Sequence, residues 1–269
     1  MSINSFPTGK PHISFSEVKT WKECSWKHKL VYINKIDMFK PSPYLDFGTI
    51  LHTEAEGYLK NKTFDLTRLE SSIRKSWSEK EFEKVDTWLK EAFQILQDIP
   101  SFLDTQFPEW EFVSAEHQLY ESIENQEIKF KGFVDAMIRV KNKKGKEYLW
   151  LIDWKTSGPR GWDSAKRRDT LVASQLVLYK TYIAKKFEID TKDIKCGFVL
   201  LKRGLKPGKA CELIEVSVGP KTAEKAEKLV SSMITSVKKG VFLKNRSSCK
   251  YCDFKNTPHC PGSSEFSVF

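Results

Sequence analysis

Two carboxylates and one ammonium group can assemble within a short stretch of this chain. Asp135 lies in Gly132-Phe133-Val134-Asp135-Ala136-Met137-Ile138, and Asp153 and Lys155 lie in Tyr148-Leu149-Trp150-Leu151-Ile152-Asp153-Trp154-Lys155-Thr156. A Lys-Asn-Lys-Lys-Gly-Lys segment separates these apolar runs, a pattern that predicts a β-hairpin with a charged loop. Side chains alternate along a strand, so Asp153 and Lys155 share a face, and cross-strand pairing brings Asp135 beside Asp153. Hard cations such as Mg²⁺ take oxygen ligands of this kind, and a lysine nearby can orient water or meet charge developing on a phosphate. The same residues also read as a solvated charge pair at a strand end, because Asp-x-Lys alone is common by chance.

Other side chains with chemical potential lie on both sides of this hairpin. Phe47 to Tyr58 reads as a helix opening at Gly48, with His52 and Glu56 one turn apart on one face. Those two are either a surface pair or part of a cation site. Glu116, in a strand from Glu111 to Tyr120, is a further acidic group that either joins the site or faces solvent. Thr170 to Phe187 reads as a helix whose apolar stripe is interrupted by Gln175, and a buried amide needs hydrogen-bond partners. Arg160, Lys166, Arg167 and Arg168, in and after a loop, and Lys202, at the end of an expected strand, are basic residues suited to phosphates, or simply solvated charge.

The cysteines raise a separate question. Cys249-x-x-Cys252, followed by Cys260, forms a knuckle with three thiols, one fewer than a closed tetrahedral site needs. Cys24, on a helix expected to run from the capping-box sequence Ser14-x-x-Glu17 to about Tyr32, is the natural fourth. His259 and His28 are alternatives for a zinc site. Cys196 and Cys211 have no partner at ligand spacing and read as ordinary thiols.

Composition sets the outer bounds. The chain has 269 residues, enough for one substantial core, and 30% of them are charged. Lys and Arg outnumber Asp and Glu by 45 to 35, a net +10 that favours a polyanionic partner. No apolar run is long enough to span a bilayer, and the first residues lack a secretory pattern, so no membrane association and a cytoplasmic location are expected. Val85 to Ile99 reads as an amphipathic helix stopped by Pro100. Ala223 to Val237 reads as another helix, ended by Gly240.

Taken in chain order, Gly48-x-x-x-His52, Gly-x-x-Asp135, Asp153-x-Lys155 and Gln175-x-x-x-Tyr179 resemble the PD-(D/E)XK nuclease superfamily, in its RecB-like branch. With Cys24, Cys249, Cys252 and Cys260 added, the plan is similar to the iron–sulfur exonucleases of that branch, including CRISPR-adaptation exonucleases and AddB-type nuclease domains. The resemblance implies an α/β, restriction-endonuclease-like core with a mixed central β-sheet flanked by helices, plus a helical insertion and a C-terminal cysteine knuckle. It implies one nuclease domain over 1–269: N-terminal helices at 11–60, an insertion at 61–110 that either covers the active-site cleft as an arch or simply packs, a catalytic core at 111–240 and a cysteine-rich segment at 241–269.

The same resemblance assigns roles. His52, Asp135 and Asp153, with a backbone carbonyl near Trp154, would hold Mg²⁺ or Mn²⁺; Lys155 would activate water; Gln175 and Tyr179 would position the site or the nucleic-acid backbone. The four cysteines would hold a [4Fe–4S] cluster, with structural Zn²⁺ as the alternative. The expected activity is a metal-dependent DNA exonuclease, on single strands or duplex ends, in recombination, repair or CRISPR-like processing. A structure-specific endonuclease and a non-catalytic nucleic-acid-binding module are the alternatives. The chain has no Gly-x-x-x-x-Gly-Lys-Ser/Thr loop, so it would act alone or beside a helicase or recombinase partner. Oligomeric state is not readable from these residues.

Overall fold

The structure is a computed structural model and describes residues 6–261. The chain gathers into two compact units, each assembled from separated segments. The larger contains residues 41–119 and 133–223; the smaller contains 1–40, 120–132 and 224–269. No helix among the described residues is long and apolar enough to cross a membrane.

The larger unit is built on a mixed sheet. Strand β3 (Lys129–Lys141) runs antiparallel to β4 (Glu147–Ser157), forming the expected hairpin, and β2 (Glu111–Ser122) also pairs with β3. Strand β5 (Ile194–Lys202) lies parallel to β4, and β6 (Cys211–Glu215) lies antiparallel to β5. The hairpin loop holds because Asn142 Oδ1 accepts hydrogen bonds from the backbone N–H groups of Lys144 and Lys146, while Gly145 takes a positive φ of 78°. The short helix α6 (Ser164–Arg167) and helix α7 (Thr170–Phe187) make the crossover between the parallel strands β4 and β5, and Asp169 caps α7 by accepting from Leu171 N–H and Val172 N–H.

Three helices precede the sheet in this unit: α3 (Pro43–Asn61), α4 (Leu66–Glu79) and α5 (Val85–Gln106). Helix α3 opens five residues earlier than the expected start at Gly48, because Pro43 suits a first helical position. Gly48 serves a different purpose. A Cβ there would meet Thr156 Oγ1 at 3.2 Å, so its absence lets α3 approach the end of β4.

Helix α5 runs through Pro100 rather than stopping there. The proline costs one backbone hydrogen bond, but Ile99 and Leu103 on either side are fully buried and hold the turn in place. Leu69, Ile73 and Trp77 of α4 and Leu89, Ile95 and Leu96 of α5 share one core with Ala136, Ile138, Trp150, Ile152 and Trp154 of the sheet. The insertion is therefore packed against the sheet as core. Two polar anchors reinforce that packing. Asp98 of α5 accepts from Gly208 N–H and Ala210 N–H at 2.8 Å each, and the Arg203 guanidinium stacks on Trp88 at 4.3 Å and pairs with Glu91 at 3.3 Å.

In the smaller unit, β1 (His12–Ser14) pairs in parallel with the first residues of β3. Helix α1 (Phe15–Glu23) is capped by Ser14, which accepts from Glu17 N–H, but it ends at Cys24 instead of continuing to Tyr32. Cys24 is extended, with φ −162° and ψ 109°, and the chain then resumes as α2 (Ser25–His28) and a π-helical turn to Ile33. The break frees the Glu23 carbonyl, and the side chains of Asn245 and Ser248 occupy it at 2.8 and 2.7 Å. Helix α8 (Pro220–Lys238) precedes this C-terminal segment, and Gly240, with φ 68°, follows the helix as expected. Glu17 does not complete the capping box; its buried carboxylate bonds His28 Nε2 at 3.0 Å.

Candidate active site

The expected convergence of acids occurs at the β3–β4 pairing. Ala136 pairs with Ile152, so Asp135 and Asp153 stand opposite each other in adjacent strands. Trp154 N–H donates to Asp135 Oδ2 at 2.9 Å, and His52 makes a backbone hydrogen bond to the same residue. His52 Nδ1 lies 3.5 Å from Asp135 Oδ2. Trp154, the residue between Asp153 and Lys155, thus orients both the histidine from α3 and the carboxylate from β3 through its backbone.

The other face of the site comes from β4 and α7. Lys155 Nζ forms an ion pair with Asp153 Oδ2, and Gln175 Nε2 donates to Asp153 Oδ1 at 2.7 Å. Gln175 also reaches Tyr179 Oη at 3.3 Å, one helical turn further on. The amide that interrupts an apolar stripe is thus fully accounted for: it holds a buried carboxylate and a phenol together.

The electrostatics follow from burial. Asp153 is pushed above the usual carboxylate range by desolvation, against the pull of Lys155. Asp135 rises well above it through burial and the adjacent Asp153 charge. Burial works against the Lys155 ammonium, yet Asp153 and Asp135 outweigh it and raise its pKa. Burial and the Lys155 charge lower His52 to about 4, so its imidazole is neutral at pH 7 and keeps a lone pair for a metal.

Glu56 and Glu116 adjoin this group. Burial, the Glu116 charge and a hydrogen bond to Glu116 raise Glu56 to about 7. Glu116 also contributes to the rise at Asp135. Its backbone has φ 49° in the middle of β2, a left-handed conformation that a non-glycine residue adopts only at a cost of about 1–3 kcal/mol. No glycine or asparagine marks this position in the sequence, so the local distortion had no signal there.

The donor set suits a divalent cation. It offers two like-charged carboxylates, a neutral imidazole, and Asp153 Oδ2, which is buried and accepts no hydrogen bond beyond its ion pair with Lys155. Among the described residues, no group of three or more His, Cys, Asp or Glu side chains stands at metal-holding spacing.

The basic residues divide into two sets. Arg167 pairs with Glu212 at 2.5 Å and with the Trp162 carbonyl at 2.8 Å, and Lys202 pairs with Glu212 at 3.2 Å. Arg167 thereby ties the segment after β4 to β6, and Lys202 ties the end of β5 to β6. Arg160, Lys166 and Arg168 are exposed on the segment after β4, with Lys166 over the Trp162 ring at 4.6 Å.

In the smaller unit, Cys24, Cys249, Cys252 and Cys260 line one cavity of about 270 Å³. Burial raises the Cys249 thiol, and the charges of Cys252, Cys260 and Cys24 add to the rise. Asn245 N–H donates to Cys24 Sγ at 3.4 Å, which suits a thiolate. The histidine alternatives fare worse. His28 is fully buried against Glu17, and His259 does not line the cavity. Cys196 and Cys211 stand apart, their thiols pushed up to about 12 by burial.

A family model described as the PD-(D/E)XK nuclease superfamily matches residues 12–260. No curated protein matches the chain. Among solved structures, that of a candidate exonuclease from Eubacterium rectale superposes with a TM-score of 0.58 at 13% identity, covering 94% of this chain and 91% of that one. The likeness confirms the restriction-endonuclease-like fold. A second solved structure, that of SSO0001, aligns with a TM-score of 0.36 at 18% identity, over 81% of this chain and 96% of that one.

Proposed function

The chain belongs to the PD-(D/E)XK nuclease superfamily, and from that premise we propose that it is a metal-dependent DNA exonuclease acting at strand ends. The observation that carries the reading is the single cluster formed by His52, Asp135, Asp153, Lys155 and Gln175. Members of this superfamily usually use a divalent metal, and here His52, Asp135 and Asp153 are the residues that would hold Mg²⁺ or Mn²⁺. When bound, the ion supplies Lewis-acid polarisation of the phosphoryl group and a more acidic water.

The chain's own groups do the rest. Lys155 places a positive charge beside Asp153, where it can orient the attacking water and meet charge building on the phosphate. Gln175 fixes the Asp153 carboxylate from the opposite side, and Tyr179 fixes Gln175. Trp154 N–H keeps Asp135 turned towards His52. Arg160, Lys166 and Arg168, exposed beyond the end of β4, would meet the phosphates of the substrate.

The preference for ends draws on the Eubacterium rectale neighbour, a candidate exonuclease. The four cysteines lining one cavity favour a [4Fe–4S] cluster with a structural role, or zinc bound by the same four thiols. A helicase or recombinase that supplies DNA ends is the partner this activity calls for.

The deciding experiment compares end-labelled linear DNA with covalently closed circles in Mg²⁺ or Mn²⁺, for the wild type and Asp153→Ala. Cleavage confined to linear DNA and lost in the variant supports the reading. Cutting of circles would turn it to an endonuclease, and no metal-dependent cleavage on either substrate would turn it to a binding module.

A further inference from the structure

The parallel pairing of β1 with β3 in the smaller unit produces a two-sided surface. His12 pairs with Lys129, Ile13 with Phe130 and Ser14 with Lys131. Residues paired across a sheet share a face, so Ile13 and Phe130 point one way and both are fully buried. His12, Lys129 and Lys131 therefore belong to the opposite face.

Tyr120, near the end of β2, joins that face. Its ring stands edge-on to His12, with centroids 5.9 Å apart, and Lys129 Nζ lies 4.9 Å from the ring centre. Tyr120 remains 37% exposed. Lys10 lies over the ring of Tyr32 at 5.7 Å. The positive field is strong enough to be felt locally: after burial, the Lys131 and Lys10 charges are the groups that lower the His12 pKa. Glu17, which acts on His12 in the opposite sense, is buried and held by His28.

An aromatic ring on a sheet face, flanked by several ammonium groups, meets the two demands of an unpaired nucleic-acid strand. Bases stack on the ring, and phosphates take up the lysines. A duplex keeps its bases stacked on each other and offers only the second interaction. We propose that Tyr120, with His12, Lys129, Lys131 and Lys10, forms a binding platform for single-stranded DNA. The proposal rests on the nuclease reading, whose substrate class it narrows.

The test uses the full chain carrying Asp153→Asn, which prevents cleavage during binding. Fluorescence anisotropy follows three labelled probes: an oligothymidylate, an abasic strand of the same length, and a duplex of that length. Tyr120→Ala should weaken oligothymidylate binding about tenfold and leave the abasic strand and the duplex unchanged. Lys129→Gln with Lys131→Gln should lower the slope of log affinity against log salt by about 1.4 for single strands. Tyr120→Leu preserves bulk without a stacking face and should match Tyr120→Ala; it serves in its place if the alanine variant loses its melting transition.

Unchanged oligothymidylate binding in Tyr120→Leu and in the double lysine variant would overturn the platform. Equal losses on all three probes would do so as well, since they show charge without stacking. The two readings fail separately. A wild-type chain that binds single strands through Tyr120 but cleaves nothing loses the nuclease reading alone, whereas cleavage with Tyr120-independent binding loses the platform alone.

Discussion

Gln175 Nε2 donates to Asp153 Oδ1 at 2.7 Å while standing 3.3 Å from Tyr179 Oη, so one amide from α7 decides how a buried carboxylate on β4 is turned. Gln175→Glu would place a second carboxylate against Asp153, and Gln175→Ala would leave Asp153 Oδ1 without its donor. Cleavage should fall in both, and thermal melting should show a loss of about 1–3 kcal/mol in the alanine variant. A glutamate variant as active and as stable as the wild type would remove Gln175 from the site.

Asp153→Asn and Lys155→Met keep side-chain size and remove charge. Each should lower cleavage by at least about 100-fold, because both act on charge that develops during the reaction. DNA affinity measured in Ca²⁺ should change little. A parallel loss of binding would assign the pair to holding DNA instead.

Glu56 makes the metal-free protein sensitive to pH. Its pKa is raised to about 7 in the folded state, from 4.5, by burial and by Glu116. Between those values the folded state binds the extra proton, so stability falls as pH rises from 4.5 through 7. Glu56→Gln removes this contribution. In EDTA the variant should match the wild type near pH 4.5 and exceed it at pH 8 by on the order of 1 kcal/mol after solvent screening. A difference that is constant across pH would mean that Glu56 is not raised.

Cys249→Ala should lower the melting temperature and the iron or zinc content together, because Cys24, Cys252 and Cys260 line the same cavity. Metal analysis and the visible absorbance of an iron–sulfur chromophore separate the two metals. Unchanged melting and unchanged metal content would mean that the cavity holds neither.

Much of the site was legible because it depends on alternation and helical spacing. The period of two in β4 puts Asp153 and Lys155 together, and four-residue spacing in α7 puts Gln175 beside Tyr179. What was not legible depends on tertiary contacts. Cys24 breaks its helix because residues more than 200 positions away take the freed carbonyl of Glu23. Pro100 stays inside a helix because the core holds Ile99 before it and Leu103 one turn on. Glu116 adopts a left-handed backbone beside Glu56 and Asp135, with no local residue type to announce it.

The Glu23 carbonyl and the Asn245 side chain that occupies it are 222 positions apart. Closing so long a loop is slow, since its entropy is lost before any contact forms. During synthesis the segment around Cys24 leaves the ribosome long before Asn245 exists. Segments 41–119 and 133–223 can collapse in that interval, while the segment around Glu23 awaits Asn245 and Ser248. The four thiols therefore meet only once Cys260 has been made, and the cavity they line is among the last parts of the described fold to close.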